Sequence, residues 1–467
     1  MEQVSRREVL RRIGRGAIGL MGGMGVLAED SIRAEDVKLN FVFVLMDDMG
    51  WKDLGCCGST FYETPNIDRL AAQGMRFTSA YAACPVCSPT RASILTGKYP
   101  ARLHLTDWIP GHKLPNTRLR AAEFHHELPL SETTIAEALR ESGYATGYVG
   151  KWHLGKEGFY PDKQGFDINI GGTNQGSPPS YFYPYKNPTI PGGAEGEYLT
   201  DRLTDEAVTY IERNKDRPFF LYLAHYAVHT PITAKEDLIA KYQARLKPGD
   251  KHNPTYAAMI ESVDEGIRRI VRKLEELGIA DRTAVIFTSD NGGLARVTPN
   301  DPLRAGKGTL YEGGIRVPLI VRRPGKTPRG STCDVPVMST DFYPTILEMA
   351  GIRHDNKSPD GVSLVRLLKQ TGDIKRDAMY WHYPHYHPGG ASPSGSVRFG
   401  DYKLIEIFED GRLELYNLKE DTGEEADLAE KMPRKAKELH RMLLDWRESV
   451  DASMPTPNPD FDPAKSS

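Results

Sequence analysis

Uninterrupted apolar runs recur along the chain, and each stops at polar or charged residues. Leu39–Met46 runs into Asp47-Asp48, Ala145–Val149 into Gly150-Lys151-Trp152-His153, Phe219–Ala224 into His225 and His229, and Thr283–Ser289 into Asp290-Asn291. Runs of this length without alternation predict strands buried on both faces, as in a parallel sheet. Between them lie segments with helical periodicity. Asn66–Gly74 is short and stops at glycine, Leu130–Leu139 carries capping signals, and Leu203–Asn214 follows. In Tyr256–Leu277 the residues Ile260, Val263, Ile267, Ile270 and Leu274 recur every three or four positions. Strands alternating with amphipathic helices predict an α/β fold, a large mixed and mostly parallel sheet sandwiched by helices. From about Asp377 the pattern changes. Tyr380–His382, Val397–Phe399, Tyr402–Ile405 and Leu413–Leu418 are short apolar runs between Gly and Asp turns, and a helical stretch over about Pro433 to Val450 closes the unit. This predicts a smaller C-terminal α+β subdomain with an antiparallel sheet. The expected organisation is a leader over 1–34, a main α/β domain over 37–375, the subdomain over 376–452 and a disordered, proline-rich tail over 453–467.

With 467 residues and 39% hydrophobic content, the chain can bury a large core. Its formal charge of -3 gives no electrostatic case for nucleic acid. No run reaches the ~18 apolar residues of a membrane span. Ser5-Arg6-Arg7 followed by the glycine-rich apolar run Gly16–Ala28 resembles a Tat export signal, with small-residue cleavage sites at Ala28 and Ala34. It implies the Tat machinery as a partner and a periplasmic or extracellular destination.

The strand ends carry the chemistry. Adjacent carboxylates at the exit of a buried strand repel one another and call for a cation. Asp47, Asp48, Asp290 and Asn291 form an all-oxygen donor set, which suits Ca2+; Mg2+ fits the same donors but demands a stricter octahedron. A single such aspartate would also fit a turn or a helix cap. In Gly150-Lys151-Trp152-His153, a lysine and a histidine two apart point to one side of an extended segment. Gly306-Lys307-Gly308 is glycine-rich but lacks the Walker spacing. In Cys84-Pro85-Val86-Cys87-Ser88-Pro89-Thr90-Arg91, a thiol stands just before a proline-led helix start, with a guanidinium one turn in. A helix N-terminus and an arginine together suit an anion with tetrahedral oxygens. Cys84-x-x-Cys87 also fits a redox pair or half of a zinc site, although Cys56-Cys57 are adjacent and Cys333 stands alone.

Cys87-Ser88-Pro89-Thr90-Arg91, with Gly97 beyond, resembles the signature of the formylglycine-dependent (type I) sulfatases of the alkaline-phosphatase-like superfamily. The resemblance extends from Asp47 to about Lys419. It implies that a formylglycine-generating or sulfatase-maturating enzyme converts Cys87 to formylglycine (3-oxoalanine), whose gem-diol attacks sulfur. It further implies metal ligation by Asp47, Asp48, Cys87, Asp290 and Asn291, and sulfate contacts from Arg91, Lys151 and Lys307. His153 is expected as a base and His229, before Thr230-Pro231, as the acid at the leaving group, with His225 the lesser candidate. Aromatic and His-bearing insertions point to a sulfated carbohydrate. His382, His385 and His387 lie in Trp381–Gly390, read as a lid with substrate contacts, His382 and His385 being the named substrate candidates; His104, His112, His125 and His126 in the insertion 104–130 are weaker ones. Two other classes compete: a phosphomonoesterase or phosphodiesterase of the same superfamily, with two metals and a Ser or Thr nucleophile, and a sulfated-glycan-binding protein without turnover.

Overall fold

The computed structural model describes residues 38–112, 114–353 and 359–465, and the expected export leader lies outside them. Ten strands form the first part of the described chain: β1 Asn40–Met46, β2 Met75–Tyr81, β3 Leu119–Arg120, β4 Ala145–Gly150, β5 Ile168–Ile170, β6 Phe219–Ala224, β7 Thr283–Ser289, β8 Arg316–Arg322, β9 Ser331–Cys333 and β10 Val337–Met338. Five more follow: β11 Ala378–Tyr383, β12 Ser394–Phe399, β13 Tyr402–Ile407, β14 Leu413–Asn417 and β15 Thr456–Pro457.

The main sheet runs β10-β2-β8-β7-β1-β6-β4-β5, with β9 paired to β2. β1 is central and runs parallel to both β6 and β7. Its period of two feeds both faces of the sheet. Val42, Val44 and Met46 enter one apolar cluster with Leu203 and Ile260 from the helices Leu199–Asn214 and Pro254–Glu276. Phe41, Phe43 and Leu45 enter the other with Ile94, Ile135 and Ile346 from the helices Cys87–Thr96, Ile135–Glu141 and Phe342–Met349. That double burial is why β1 reads as an unbroken apolar run. The capping box at Thr134 and Glu137 starts the Ile135–Glu141 helix, later than the expected Leu130.

One strand makes the sheet mixed: β8 is antiparallel to both β7 and β2. β2 is a correction. Met75-Arg76-Phe77 read as the lead into a loop, yet Met75–Tyr81 is a seven-residue strand whose first half alternates buried and half-buried positions. Polar Arg76 and Thr78 mask it in the sequence.

β11, β12, β13 and β14 form the antiparallel sheet, and the helix Pro433–Ser449 packs on it through Leu439 and Leu443 beside Trp381 and Val397. Trp381 Nε1 donates to Ala82 O at 2.8 Å, which fixes β11 next to the chain leading to Cys87. The tail is a second correction. Thr456–Pro457 pairs with Leu119–Arg120, Arg120 bridges Asp460 at 2.7 Å, and the backbone of Asp462 donates to Asn116. Proline content gave the expectation of a free tail, but edge pairing supplies the backbone partners that composition does not reveal. Among the described residues no helix is long and apolar enough to cross a membrane.

Candidate active site

Because β7, β1, β6 and β4 are consecutive and parallel, their carboxyl ends emerge side by side, where open α/β sheets bind ligands. Register aligns Met46 with Ser289, Leu45 with Ala224, and Ala224 with Gly150. Asp47-Asp48, Asp290-Asn291, His225–His229 and Lys151–His153 therefore leave the sheet as neighbours. Gly150 has φ +110, and a side chain there would strike Ala224 O, so only glycine brings Lys151 this close to β6. Asp48 and His153 hold φ +63 and +58 without being glycine. Such strain costs on the order of 1–3 kcal/mol per residue and concentrates at functional sites.

Cys87 opens the helix Cys87–Thr96, which is buried throughout. Ser88 Oγ donates to His153 O at 2.9 Å and accepts from Ile109 N at 3.1 Å, locking this turn to the β4 exit. Arg91 Nε donates to Asp290 Oδ2 at 2.9 Å, and its Nη1 to Lys151 O at 2.7 Å. Lys151 Nζ lies 2.6 Å from Asp47 Oδ2. Lys307 Nζ lies 2.6 Å from Asp48 Oδ1 and 3.7 Å from Cys87 Sγ. His229 Nε2 stands 3.8 Å from Asp48 Oδ2, with its Nδ1 donating to Thr230 O. Three carboxylates and three cations thus interlock at the thiol.

Burial and charge set the protonation states. Burial alone would raise the Asp48 carboxyl, but Lys307, His229 and Lys151 outweigh it and hold it far below the carboxylate range. Burial, then Asp47, lift Asp290 to about 6 against Arg91 and Lys151. Burial pushes the Cys87 thiol up to about 12 despite the two lysines, and it raises Cys84 well above its ordinary value. Burial, then Lys307, pull His229 down to about 3. Burial, then Lys151, pull His153 well below its ordinary value. His153 Nε2 bonds Ile109 O, leaving its Nδ1 lone pair without a partner.

The donor set fits a hard cation. Asp47 Oδ1 and Asn291 Oδ1 are buried acceptors with no hydrogen-bond partner. Asp47, Asp48, Cys87 and His229 each offer a ligand atom, all within 4.8 Å of one another, and Asn291 Nδ2 donates to Asp48 Oδ1 at 2.8 Å. Orphaned carbonyl-type oxygens beside carboxylates are what an oxygen-preferring ion satisfies.

The family model described as Sulfatase matches residues 39–352. The chain belongs to the sulfatase family. A second model, described as N-sulphoglucosamine sulphohydrolase, C-terminal, matches residues 305–449 of this sulfatase. A sulfatase of Formosa agariphila is 34% identical over 85% of each chain. Human N-acetylgalactosamine-6-sulfatase is 35% identical over 73% of this chain and 68% of its own. The crystal structure of Ps i-CgsB superposes with a TM-score of 0.76 at 32% identity, covering 88% of this chain and 93% of that one. This sulfatase is therefore a sulfuric ester hydrolase of alkaline-phosphatase-like fold.

A cavity of about 450 Å3 opens above the site, lined by Asp48, Cys87, His153, His229 and Lys307. Not every expected residue reaches it. His225 is fully buried, with neither ring nitrogen partnered. His382 Nε2 bonds Ser453 O, and His385 Nε2 bonds Thr106 Oγ1 at 2.8 Å, so both work inside the protein and neither lines the cavity. His387, the third histidine expected in that loop, does line it. From the 104–130 insertion the wall is built by Trp108, Ile109 and Pro110, whereas its histidines do not line it. The aromatic residue amid apolar neighbours was the available signal for Trp108; the histidine count drew attention elsewhere.

Proposed function

We propose that this sulfatase removes sulfate from a sulfated carbohydrate, with a formylglycine made from Cys87 and a Ca2+ held by Asp47, Asp48, Asp290 and Asn291. The observation that carries the reading is the convergence of Lys307 and the Asp48 carboxylate on Cys87 at the mouth of a helix N-terminus. Cys87 is only 2% exposed, which suits conversion to an aldehyde by a formylglycine-generating or sulfatase-maturating enzyme before folding buries the thiol. Bound Ca2+ supplies charge neutralisation for sulfate oxygens and favours the ionised nucleophile.

The chain's own groups do the rest. The three cations balance the three carboxylates, so a divalent ion leaves the site net positive toward a sulfate monoester. Arg91, Lys151 and Lys307 then orient and stabilise the oxygens around sulfur. His153 is neutral with a bare Nδ1, which suits it to take a proton at the Cys87-derived group. Lys307 and His229 flank Asp48 on the cavity side, and this pair returns the proton to the leaving alkoxide. Half-buried Trp108 at the cavity wall suits stacking against a sugar ring. The leader Ser5-Arg6-Arg7 supports export through Tat to the periplasm or beyond. The test combines two measurements on protein from a maturation-competent host: the mass of the peptide holding Cys87, and free-sulfate release from defined sulfated saccharides. An aldehyde mass together with sulfate release is expected. An unmodified thiol in fully active protein overturns the nucleophile.

A further inference from the structure

Five residues beyond Asn291, the turn Ala295–Val297 brings Arg296 to the cavity. The turn is built to hold its place. Val297 is buried in the core and its N–H donates to Leu294 O at 2.7 Å. The next residue, Thr298, donates to buried Asp53 at 3.0 Å and bonds Tyr62 at 2.9 Å. Lys307 N donates to Gly293 O, tying the turn to the segment that bears the cavity lysine. Arg296 is exposed, and among the described cavity residues it is the cation with no carboxylate partner; Lys307 has Asp48.

His387 shares this part of the cavity. Its Nδ1 accepts from Gly389 N at 3.1 Å, which places the ring proton on Nε2, and Nε2 has no protein partner. The ring packs against Gly308, where a Cβ would collide with it. Burial first, then Lys307, His112 and Arg296, pull it down to about 4 against Asp48, so it is a neutral donor.

An unpaired guanidinium on an anchored turn and an unpaired N–H donor therefore stand in a cavity where Lys307 and Asp48 are matched to each other. We infer that Arg296 and His387 form a second anion subsite, reading a carboxylate or a further sulfate on the same saccharide whose sulfate ester is cleaved. This rests on the carbohydrate-sulfatase reading above, and it makes the substrate class a polyanionic saccharide.

The experiment uses full-length matured enzyme and three matched disaccharides: one bearing the scissile sulfate alone, one with an added sulfate, and one with an added uronic carboxylate. The wild-type enzyme is expected to favour at least one dianionic substrate by about tenfold in kcat/KM, through KM, as one well-made charged contact allows. Arg296→Gln should collapse that preference and Arg296→Lys should retain part of it, since a point charge replaces the fork. The preference should also shrink as salt rises from about 50 to about 300 mM, because the rim is open to solvent. Which dianion is favoured separates carboxylate from sulfate recognition. A preference that survives Arg296→Gln, or a wild-type enzyme that cleaves all three alike, overturns the second subsite and leaves the carbohydrate reading standing. Failure to cleave any of the three while an aryl sulfate is turned over removes the carbohydrate reading and the subsite with it.

Discussion

At the strand tips, Asp47, Asp48 and Asp290 face Arg91, Lys151 and Lys307; between the helix Glu312–Ile315 and β13, Glu312 and Glu424 face Lys403 and Arg316. Both clusters are buried and both balance their charges. Lys403 Nζ is 3.0 Å from Glu312 Oε1 and 2.8 Å from Glu424 Oε1, and all three side chains are fully buried. The remaining oxygens are met as well. Glu312 Oε2 accepts from Tyr81 at 2.7 Å, and Glu424 Oε2 accepts from Glu312 N at 2.7 Å. At the strand tips, by contrast, Asp47 Oδ1 and Asn291 Oδ1 have no partner, and Asp48 and Lys307 reach a cavity. An unsatisfied buried polar atom costs about 1–3 kcal/mol, so a fold built for stability alone would not keep two together. Buried, paired charge does not by itself mark a site. Here two unpartnered oxygens lie beside carboxylates that open on a cavity, whereas Glu424 Oε1 has the Lys403 ammonium 2.8 Å away.

The largest expected effect separates activity from stability at the first cluster. Cys87→Ala and Asp290→Asn should each lower sulfate release on the order of 10^4-fold or more, while Cys87→Ala changes the thermal midpoint little. Chelation of the purified enzyme should remove activity, and Ca2+ should restore it. A Cys87→Ala enzyme with appreciable turnover would remove the strand-tip cluster from the functional side of the comparison.

The second cluster predicts the opposite signature. Lys403→Met leaves buried Glu424 without its cation and Glu312 with Arg316 alone, and should cost about 3–5 kcal/mol in denaturant unfolding. The folded fraction should keep a kcat within a few-fold of wild type, because Lys403 contacts no cavity residue. A kcat that collapses at unchanged stability would instead tie this cluster to the chemistry through the segment 307–312.

A smaller effect comes from pH. Burial, with Glu312 beside it, lifts the Glu424 carboxyl from 4.5 to about 7, against the pull of Lys403. The native state therefore holds a proton that the unfolded chain releases between those values. On this account stability falls as pH rises from about 4.5 through 7 and levels off above. Glu424→Gln should remove that slope, because an amide does not titrate in this range. Urea midpoints at pH 5.5 and 8.5 measure it; a wild-type curve that is flat across this interval would contradict the assignment.

The sequence bears unequally on these two regions. Asp47-Asp48, Asp290-Asn291 and Lys151–His153 stand directly after apolar runs, and a parallel sheet brings such strand ends together whatever the intervening chain, so their proximity could be read from local pattern. Glu312, Lys403 and Glu424 carry no such mark. Each is an ordinary charged residue in its own segment, and only the packing of β13 against the Glu312–Ile315 helix buries them together. Nor does a period-two pattern tell which way a residue beyond a strand's end will point. That is why His382, His385 and His387 were all expected near the substrate, and only the third lines the cavity.

His385 supplies the smallest test and the one that most sharpens the distinction. It sits two residues from cavity-lining His387, yet it is 2% exposed, bonds Thr106 Oγ1 at 2.8 Å, and lies 3.9 Å from the Asp107 carboxylate. Asp107 accepts from Tyr383 at 3.0 Å and from Trp108 N at 2.9 Å, and Trp108 is part of the cavity wall. The histidine thus supports the wall from behind and meets no ligand. His385→Gln, which keeps a polar group for Thr106, should cost about 1 kcal/mol, the worth of one buried hydrogen bond. It should shift KM for a sulfated saccharide less than about twofold, because the wall keeps its shape. A rise in KM of tenfold or more at unchanged stability would place His385 among the groups that meet substrate, and burial with satisfied bonds would then no longer distinguish the two kinds of cluster.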